Sequence, residues 1–127
     1  MRRSIENRQI EFRGTRGGAL ERVVKLPDGR EYAHRCSQKV FEAVAGHIDE
    51  HQRDGVKIQS LADALDVPMT QVNVALQLLT ERGMLETPPG GGRLSYVAPG
   101  YASAFFEHAM TEFFALIEGQ PPQLSSQ

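Results

Sequence analysis

The sequence contains a single cysteine, Cys36, so the chain cannot form an internal disulfide. It also lacks a long apolar run. The most apolar stretch, residues 101–117, is interrupted by Glu107, His108 and Glu112 and falls short of the ~20 apolar residues that a membrane-spanning helix needs. No basic flank followed by an apolar run marks a signal peptide near the start. These absences predict a cytoplasmic protein that does not cross a membrane.

Spacings that would indicate enzymatic or metal chemistry are also missing. Residues 88–93 are rich in glycine but lack the Gly-Lys-Ser/Thr ending of a phosphate-binding loop, and Cys36 and His34 have no third group in sequence to orient them. His47 and His51 lie about one helical turn apart, but Cys36 would lie ~16 Å from His47 along a continuous helix, whereas zinc ligands lie ~2 Å from the metal. We therefore expect no enzymatic activity, no cofactor and no metal site.

Charge is distributed unevenly along the chain. The whole sequence has 14 lysines and arginines against 16 aspartates and glutamates, a formal net charge of −2. Residues 1–36 hold nine basic and five acidic residues, a net +4, whereas residues 37–127 hold five and eleven, a net −6. A basic amino-terminal segment fits both a contact with phosphates and a solvated tail, and the charge pattern alone leaves both interpretations open.

The first 36 residues divide into an arm and a hairpin. Residues 1–18 contain five arginines and few large apolar side chains, and they end in two glycines, which predicts a basic, partly disordered arm. Residues 19–36 contain two runs that can form strands, joined by the turn sequence Pro-Asp-Gly at residues 27–29, and this predicts a β-hairpin. Because a lone hairpin is marginal in water, it must pack on the rest of the protein or on a partner chain.

The remainder of the chain predicts four helices and a second hairpin. Ser37 is a favourable N-cap for the first helix, and glycine-rich residues 88–92 separate the two short strands of the hairpin. The predicted elements are a helix from Ser37 to about Arg53, helices at residues 60–65 and 70–82, strands at 85–87 and 94–97, and a helix at 101–118. The predicted regions are the arm (1–18), the hairpin (19–36), an α+β domain (37–98), a C-terminal helix (99–118) and a disordered tail (119–127).

Three helices followed by a glycine-tipped hairpin are the element order of a winged helix-turn-helix, with the helix-turn-helix at residues 59–82 and the wing at residues 86–97. The small and apolar side chains fall where the second helix must pack on the third. These positions are Leu61, Ala62, Leu65, Val67, Val72, Ala75, Leu76, Leu79, Gly83 and Leu85. Through them residues 61–86 resemble, without a gap, the pattern of the GntR and MarR families of bacterial transcriptional regulators. The resemblance implies a winged-helix domain that binds double-stranded DNA and regulates transcription.

The polar surface of the third predicted helix departs from these families. Where they commonly carry a basic residue, this chain has Met69, Asn73, Gln77 and Leu78. Asparagine and glutamine can pair with adenine in the major groove, but the charge that neutralises phosphates would have to come from outside this helix. The candidate DNA-binding residues are therefore Thr70, Gln71, Asn73 and Gln77 on the helix, Lys57 before the second helix, Arg93 beside the wing tip, and Arg2 and Arg3 in the arm.

Val74 and Leu78 form an apolar pair one turn apart on the nominally exposed face of the same helix. If this pair packs against another protein, the winged helix is a protein–protein interaction adaptor that does not bind DNA. The sequence leaves this alternative open beside the DNA-binding regulator.

The last predicted helix is apolar around more than half of its circumference, whereas a helix that packs only on its own domain needs an apolar stripe of about 100°. The surplus predicts a second packing surface, and the simplest candidate is the same helix of a second copy, which would make a homodimer. A ligand pocket between helices is the competing interpretation. The candidate dimerisation residues are Phe105, Phe106, Met110, Phe113, Phe114 and Ile117.

Overall fold

The computed structural model describes residues 9–90 and 94–119. These residues form a small α+β fold with four α-helices, a three-stranded antiparallel sheet and a two-stranded antiparallel sheet. None of the helices in these two ranges is long and apolar enough to span a membrane. The elements are β1 (Gln9–Gly14), β2 (Leu20–Lys25), β3 (Glu31–Cys36), α1 (Gln38–Glu50), α2 (Ile58–Leu65), α3 (Met69–Glu81), β4 (Leu85–Glu86), β5 (Tyr96–Val97), a 3-10 helix (Pro99–Ala104) and α4 (Phe105–Glu118).

The amino-terminal sheet has the strand order β1-β2-β3. Its second hairpin, β2 to β3, is confirmed at the Pro-Asp-Gly turn, where Gly29 has a φ of 93° that favours glycine. The sequence assigned residues 9–14 to a partly disordered arm, and the structure places them in β1 instead. Ile10 and Phe12 alternate with polar residues there, so a strand brings both apolar side chains to one face. The arginine content of the segment obscured this short alternation.

Helix α1 begins where the sequence predicts, because the Oγ of Ser37 accepts a hydrogen bond from the N–H of Val40 at 3.1 Å. The observed ends of α1, α2 and α3 lie within three residues of the predicted ones. Between α2 and α3 the chain turns at Asp66, which has a left-handed φ of 56°. Apolar side chains at helical spacing are buried on two helices: Val40, Phe41, Val44 and Ile48 on α1, and Val72, Ala75, Leu76 and Leu79 on α3.

The second sheet lies where the sequence predicts a hairpin, but β4 and β5 span only two residues each. The segment between α1 and α2 adds an isolated antiparallel bridge to this sheet, since Val56 and Ser95 exchange backbone hydrogen bonds of 2.9 and 3.0 Å. Residues 91–93, which include Arg93, lie outside the described residues, as do the predicted tail from residue 120 and the first eight residues of the predicted arm.

Helix α4 begins at Phe105, after the 3-10 helix, rather than near residue 101. It packs on α1, where the ring centroids of Phe41 and Phe113 lie 4.9 Å apart, and on β1. At Gly14 of β1 a Cβ atom would lie 2.5 Å from the carbonyl oxygen of Leu116, so the absence of a side chain permits this approach. The amino-terminal sheet therefore covers part of the surplus apolar face that the sequence predicts for this helix.

Candidate interaction surfaces around helix α3

Helix α3 is buried on two opposite sides. One side carries the predicted stripe and packs on the helical core, and the other packs on β2 and β3. Val74 and Leu78, the pair placed on the outward face by the sequence, are fully buried. They pack against protein within the same chain. The face that a recognition helix would present to the major groove is therefore covered by the amino-terminal sheet.

Two of the candidate DNA-binding residues are engaged inside the molecule. The Oε1 of Gln71 accepts a hydrogen bond from the backbone N–H of Ser37 at 2.9 Å, and the Oε1 of Gln77 accepts one from Arg22. Asn73 is half-buried on the same helix. The amides that the sequence assigned to base contacts thus serve, in two of three cases, to join α3 to the amino-terminal part of the fold.

Two other candidates are exposed within the described ranges. Thr70 is exposed in the first turn of α3, and Lys57 is exposed at the N-cap of α2. The remaining three, Arg2, Arg3 and Arg93, lie outside the described residues.

The chain segment from α2 to β4, which contains α3, is acidic. From residue 57 to residue 90 the chain carries two basic residues, Lys57 and Arg82, against four exposed acidic residues. The Nε of Arg82 pairs with the carboxylate of Glu112 at 3.0 Å, which reduces its effect on an approaching anion. This charge balance opposes contact with a phosphate backbone. The four acidic residues are Asp63, Asp66, Glu81 and Glu86.

Arg22 is a buried arginine between the sheet and α3. Its side chain is on the inner face of β2, the residue is 7% exposed, and it donates hydrogen bonds to Gln77 and, at 2.9 Å, to the Nδ1 of His34. Because a guanidinium can only donate, His34 accepts through Nδ1 and carries its proton on Nε2. The Nε of Arg22 is buried without a partner, and among the described residues no carboxylate pairs with this side chain.

The outer face of β2 shows the opposite arrangement around Glu21. Arg13, Glu21 and Arg35 lie side by side in the strand register, and the carboxylate of Glu21 accepts a hydrogen bond of 3.0 Å from the Nε of each arginine. Burial raises the pKa of this carboxyl, but the hydrogen bonds and positive charges of the two arginines together outweigh burial and hold the pKa below its ordinary value. The buried anion of the sheet thus has charged partners, whereas the buried cation has neutral ones.

An open groove of about 470 Å³ lies between β1 and α3. β1 forms one wall through Ile10 and Phe12, and α3 forms the other through Leu76 and Gln77. Ile10 is 47% exposed, and Phe12 is the cross-strand neighbour of Arg22. This volume is within the range of sites that hold a small ligand or a few side chains of a partner. The other lining residues are Val56, Lys57, Ile58, Thr80, Glu81 and Ser95.

The candidate dimerisation residues of α4 divide between core and surface. Three of them are buried within the chain: Phe105, Met110 and Phe113. The other three keep partial exposure: Phe106, Phe114 and Ile117. The apolar area that α4 offers to a second copy is therefore smaller than the sequence predicts.

The histidines and the cysteine set aside in the sequence have ordinary structural positions. The rings of His47 and His51 stack with centroids 4.2 Å apart, and in the two described ranges no group of three His, Cys, Asp or Glu residues is arranged to hold a metal. Burial raises the pKa of the Cys36 thiol to about 12. This thiol therefore stays protonated at neutral pH and is a poor nucleophile.

Sequence reasoning missed Arg22 and the β1 wall of the groove. Alternation along β2 was the available signal, because Leu20, Arg22 and Val24 share one face of a strand and two of these three are apolar. For residues 61–86, the similarity to the GntR and MarR pattern rests on the apolar positions alone. No protein-family model, curated protein or solved structure matches this chain.

Proposed function

We propose that the chain is a winged-helix protein–protein interaction module in which the groove between β1 and α3 receives a partner. The element order supports the winged helix, since three helices precede a two-stranded sheet. The bridge between Val56 and Ser95 supports it too, because it adds a third segment beside that sheet. The function itself rests on one observation, the open groove with apolar walls between β1 and α3. Val74 and Leu78 are buried within the chain, so the face that the sequence offered to a partner is not available.

The chemistry of the outward face of α3 and of the groove between β1 and α3 favours a protein partner over DNA. A contact with the major groove needs an exposed helix face and positive charge around it, and the described part of α3 has its outward face covered and acidic residues nearby. The adjoining groove has apolar walls, including Ile10 and Leu76, with Lys57 and Glu81 among its polar lining. An apolar centre with a polar margin is typical of protein interfaces.

Selection of peptides from a random phage-displayed library on the purified protein tests this function. The dissociation constant of a synthetic selected peptide is then measured by fluorescence anisotropy. Ile10→Ser should weaken binding about tenfold or more, because it removes an apolar wall of the groove. Tyr32→Ser is the matched control: Tyr32 is in the same row of the sheet as Ile10, is 41% exposed and does not line the groove, so binding should change less than about twofold. Equal losses in the two variants, or no selected peptide, would contradict the proposal.

A DNA-binding transcriptional regulator is the second candidate, favoured by the exposed first turn of α3. Recognition helices contact bases mainly through their amino-terminal residues, and both Thr70 in the first turn of α3 and Lys57 at the N-cap of α2 are exposed. Binding to random duplex DNA at about 50 mM salt that weakens as salt rises would favour this function. Two lysine variants make this test specific. Lys57→Ala should reduce DNA binding, whereas Lys39→Ala, at an exposed position of α1, should not.

A further inference from the structure

We infer that the partner segment presents a carboxylate, next to apolar side chains, that pairs with Arg22; this inference rests on the proposed docking of a partner in the groove between β1 and α3. The inference rests on a difference between two neighbouring charged residues of β2. Glu21 on the outer face has two arginine partners, whereas Arg22 on the inner face has Gln77 and His34, both neutral, and a buried Nε without a partner.

A buried cation without a counter-charge is unfavourable, because it loses its hydration and gains no ionic partner in return. A carboxylate would accept two parallel hydrogen bonds from the fork of N–H groups of the guanidinium, and such charge-assisted bonds are roughly twice as strong as neutral ones. The Nη1 and Nη2 groups of Arg22 now donate to the neutral acceptors Gln77 and His34, and a carboxylate in place of Gln77 would give Nη1 a charged acceptor.

Arg22 lies behind the wall of the groove, next to two of its lining residues. Gln77 lines the groove and also accepts the hydrogen bond from Arg22, while Phe12 lines the groove and is the cross-strand neighbour of Arg22. A carboxylate that displaces the amide oxygen of Gln77 from Nη1 would therefore reach the end of the guanidinium and accept from Nη1 and Nη2. Rotation of one glutamine side chain is the movement required.

The charges around the groove select an anion. Lys57 and Glu81 line it with opposite charges, and the Oε2 of Glu81 lies 3.9 Å from Arg82. His34 is neutral while it accepts from Arg22. Arg22 therefore adds a net positive charge behind Gln77 and Phe12, and this charge favours an anion over a cation at that wall.

The apolar walls determine what accompanies the carboxylate. Ile10, Phe12, Val56, Ile58 and Leu76 line a space much larger than one carboxylate. A partner segment in which an aspartate or glutamate is flanked by apolar residues would fill both the apolar walls and the position beside Arg22. The occupant is thus an acidic, apolar stretch of a partner polypeptide.

Substitutions in both partners test the pairing. In the synthetic selected peptide, each aspartate or glutamate is changed to its amide, and the dissociation constant is measured with the wild-type protein and with Arg22→Met. One amide substitution should weaken binding to the wild type about 10- to 100-fold and binding to Arg22→Met less than about twofold. The NMR signal of the Arg22 Nε–H should shift on addition of the acidic peptide and stay in place with the amide peptide.

Gln77→Glu gives a second test that does not depend on the folding of Arg22→Met. The new carboxylate would pair with Arg22 inside the chain, so the thermal midpoint should rise by about 2–4 °C, and the acidic peptide and its amide form should bind with the same affinity. Gln71→Glu is the control for peptide binding, because Gln71 is on the same helix but bonds to Ser37. Gln71→Glu should keep the difference in affinity between the acidic peptide and its amide form.

The outcomes separate the inference from the proposed function. Peptides that bind in a manner sensitive to Ile10→Ser, but without any carboxylate coupled to Arg22, would overturn the inference and leave the function in place. A fall in the thermal midpoint of Gln77→Glu would also overturn the inference. Absence of any peptide sensitive to Ile10→Ser would overturn both.

Discussion

Two neighbouring residues of β2, Glu21 and Arg22, are both buried and carry opposite charges on opposite faces of the sheet. Glu21 is stabilised as an anion by Arg13 and Arg35, which are themselves largely exposed and well hydrated. Arg22 has no such compensation among the described residues. At the scale of single residues, the pairing of Glu21 predicts an effect on stability. The unpaired Arg22 is the basis of the inferred partner chemistry.

Replacing Glu21 with Gln should lower the free energy of unfolding by about 1–3 kcal/mol near pH 7, because the charge-assisted hydrogen bonds are lost. The folded state holds the pKa of Glu21 below its ordinary value of 4.5. Its contribution is therefore complete above 4.5 and is lost as the pH falls through the folded pKa. Urea unfolding of both proteins at neutral and acidic pH should show a difference that shrinks on acidification.

A matched substitution on the same sheet controls for the removal of a surface charge. Glu11 pairs with Lys25 at 3.3 Å but is 51% exposed, so Glu11→Gln should change the free energy of unfolding by less than about 0.5 kcal/mol. A pH-independent loss in Glu21→Gln, or an equal loss in Glu11→Gln, would mean that the two arginines do not stabilise the anion.

Cys36 should be inert towards a thiol reagent in the folded protein. Burial raises the pKa of its thiol to about 12, so almost no thiolate forms near pH 8. Absorbance with an aromatic disulfide reagent should show no reaction until guanidinium chloride unfolds the chain, and then one equivalent of thiol. Rapid reaction of the native protein would show that the end of β3 opens to solvent.

At the scale of elements, the contact between β1 and α4 depends on Gly14. In Gly14→Ala the new Cβ would lie 2.5 Å from the carbonyl oxygen of Leu116 and 2.6 Å from the Cα of Ile117. Both are backbone atoms, so strand and helix must separate, and we expect a loss of about 1–3 kcal/mol in the free energy of unfolding. Gly17→Ala, whose Cβ would meet only Thr15 Oγ1 at 3.9 Å, should stay within about 0.5 kcal/mol of the wild type.

The packing of the amino-terminal sheet on α3 predicts a large effect at an apolar pair. Val74→Ser with Leu78→Ser should lower the free energy of unfolding by about 4 kcal/mol or more, because both side chains are fully buried and serine places a hydroxyl in an apolar site. Met69→Ser on the same helix, at a position 50% exposed, should change it by less than about 0.5 kcal/mol. Equally small effects of both variants on the free energy of unfolding would mean that the sheet does not pack on α3 in solution.

The helices were largely predictable from the sequence, because the apolar residues of α1 and α3 recur at the helical period and Ser37 is a strong cap. β1 was not, since two apolar residues among arginines are too weak a signal for a strand. Nor could the sequence show what covers Val74 and Leu78. Periodicity identifies an outward apolar pair, but only the tertiary structure shows that the chain's own sheet packs on it.

The same limit applies to the candidate site. The sequence selected α3 as the functional surface from the side chains on its polar face, and the structure uses Gln71 and Gln77 to attach other elements. The groove combines β1, the start of α2 and α3, which are far apart in sequence. A site assembled from such distant segments leaves no local motif, so composition and spacing could not identify it.

At the scale of the whole molecule, the packing of α4 inside the chain argues against a dimer built on α4. A stable interface buries about 1,200–2,000 Å² in total. Phe105, Met110 and Phe113 are already buried, and Phe114 is only 37% exposed, so it offers about a third of the 150–250 Å² of a phenylalanine. A few partly exposed side chains of this kind supply much less area than a stable dimer needs.

We therefore expect multi-angle light scattering to report the mass of one 14.1 kDa chain at concentrations of about tens of micromolar. Phe114→Glu removes the most exposed phenylalanine of α4 and should leave that mass and the thermal midpoint nearly unchanged, because its side chain lies largely outside the core. Phe113→Glu, by contrast, should unfold the protein, since it places a charge in the contact with Phe41. A dimeric mass for the intact chain that reverts to a monomer in Phe114→Glu would contradict the monomer and support the homodimer predicted from the sequence, with the remaining apolar face of α4 as its interface.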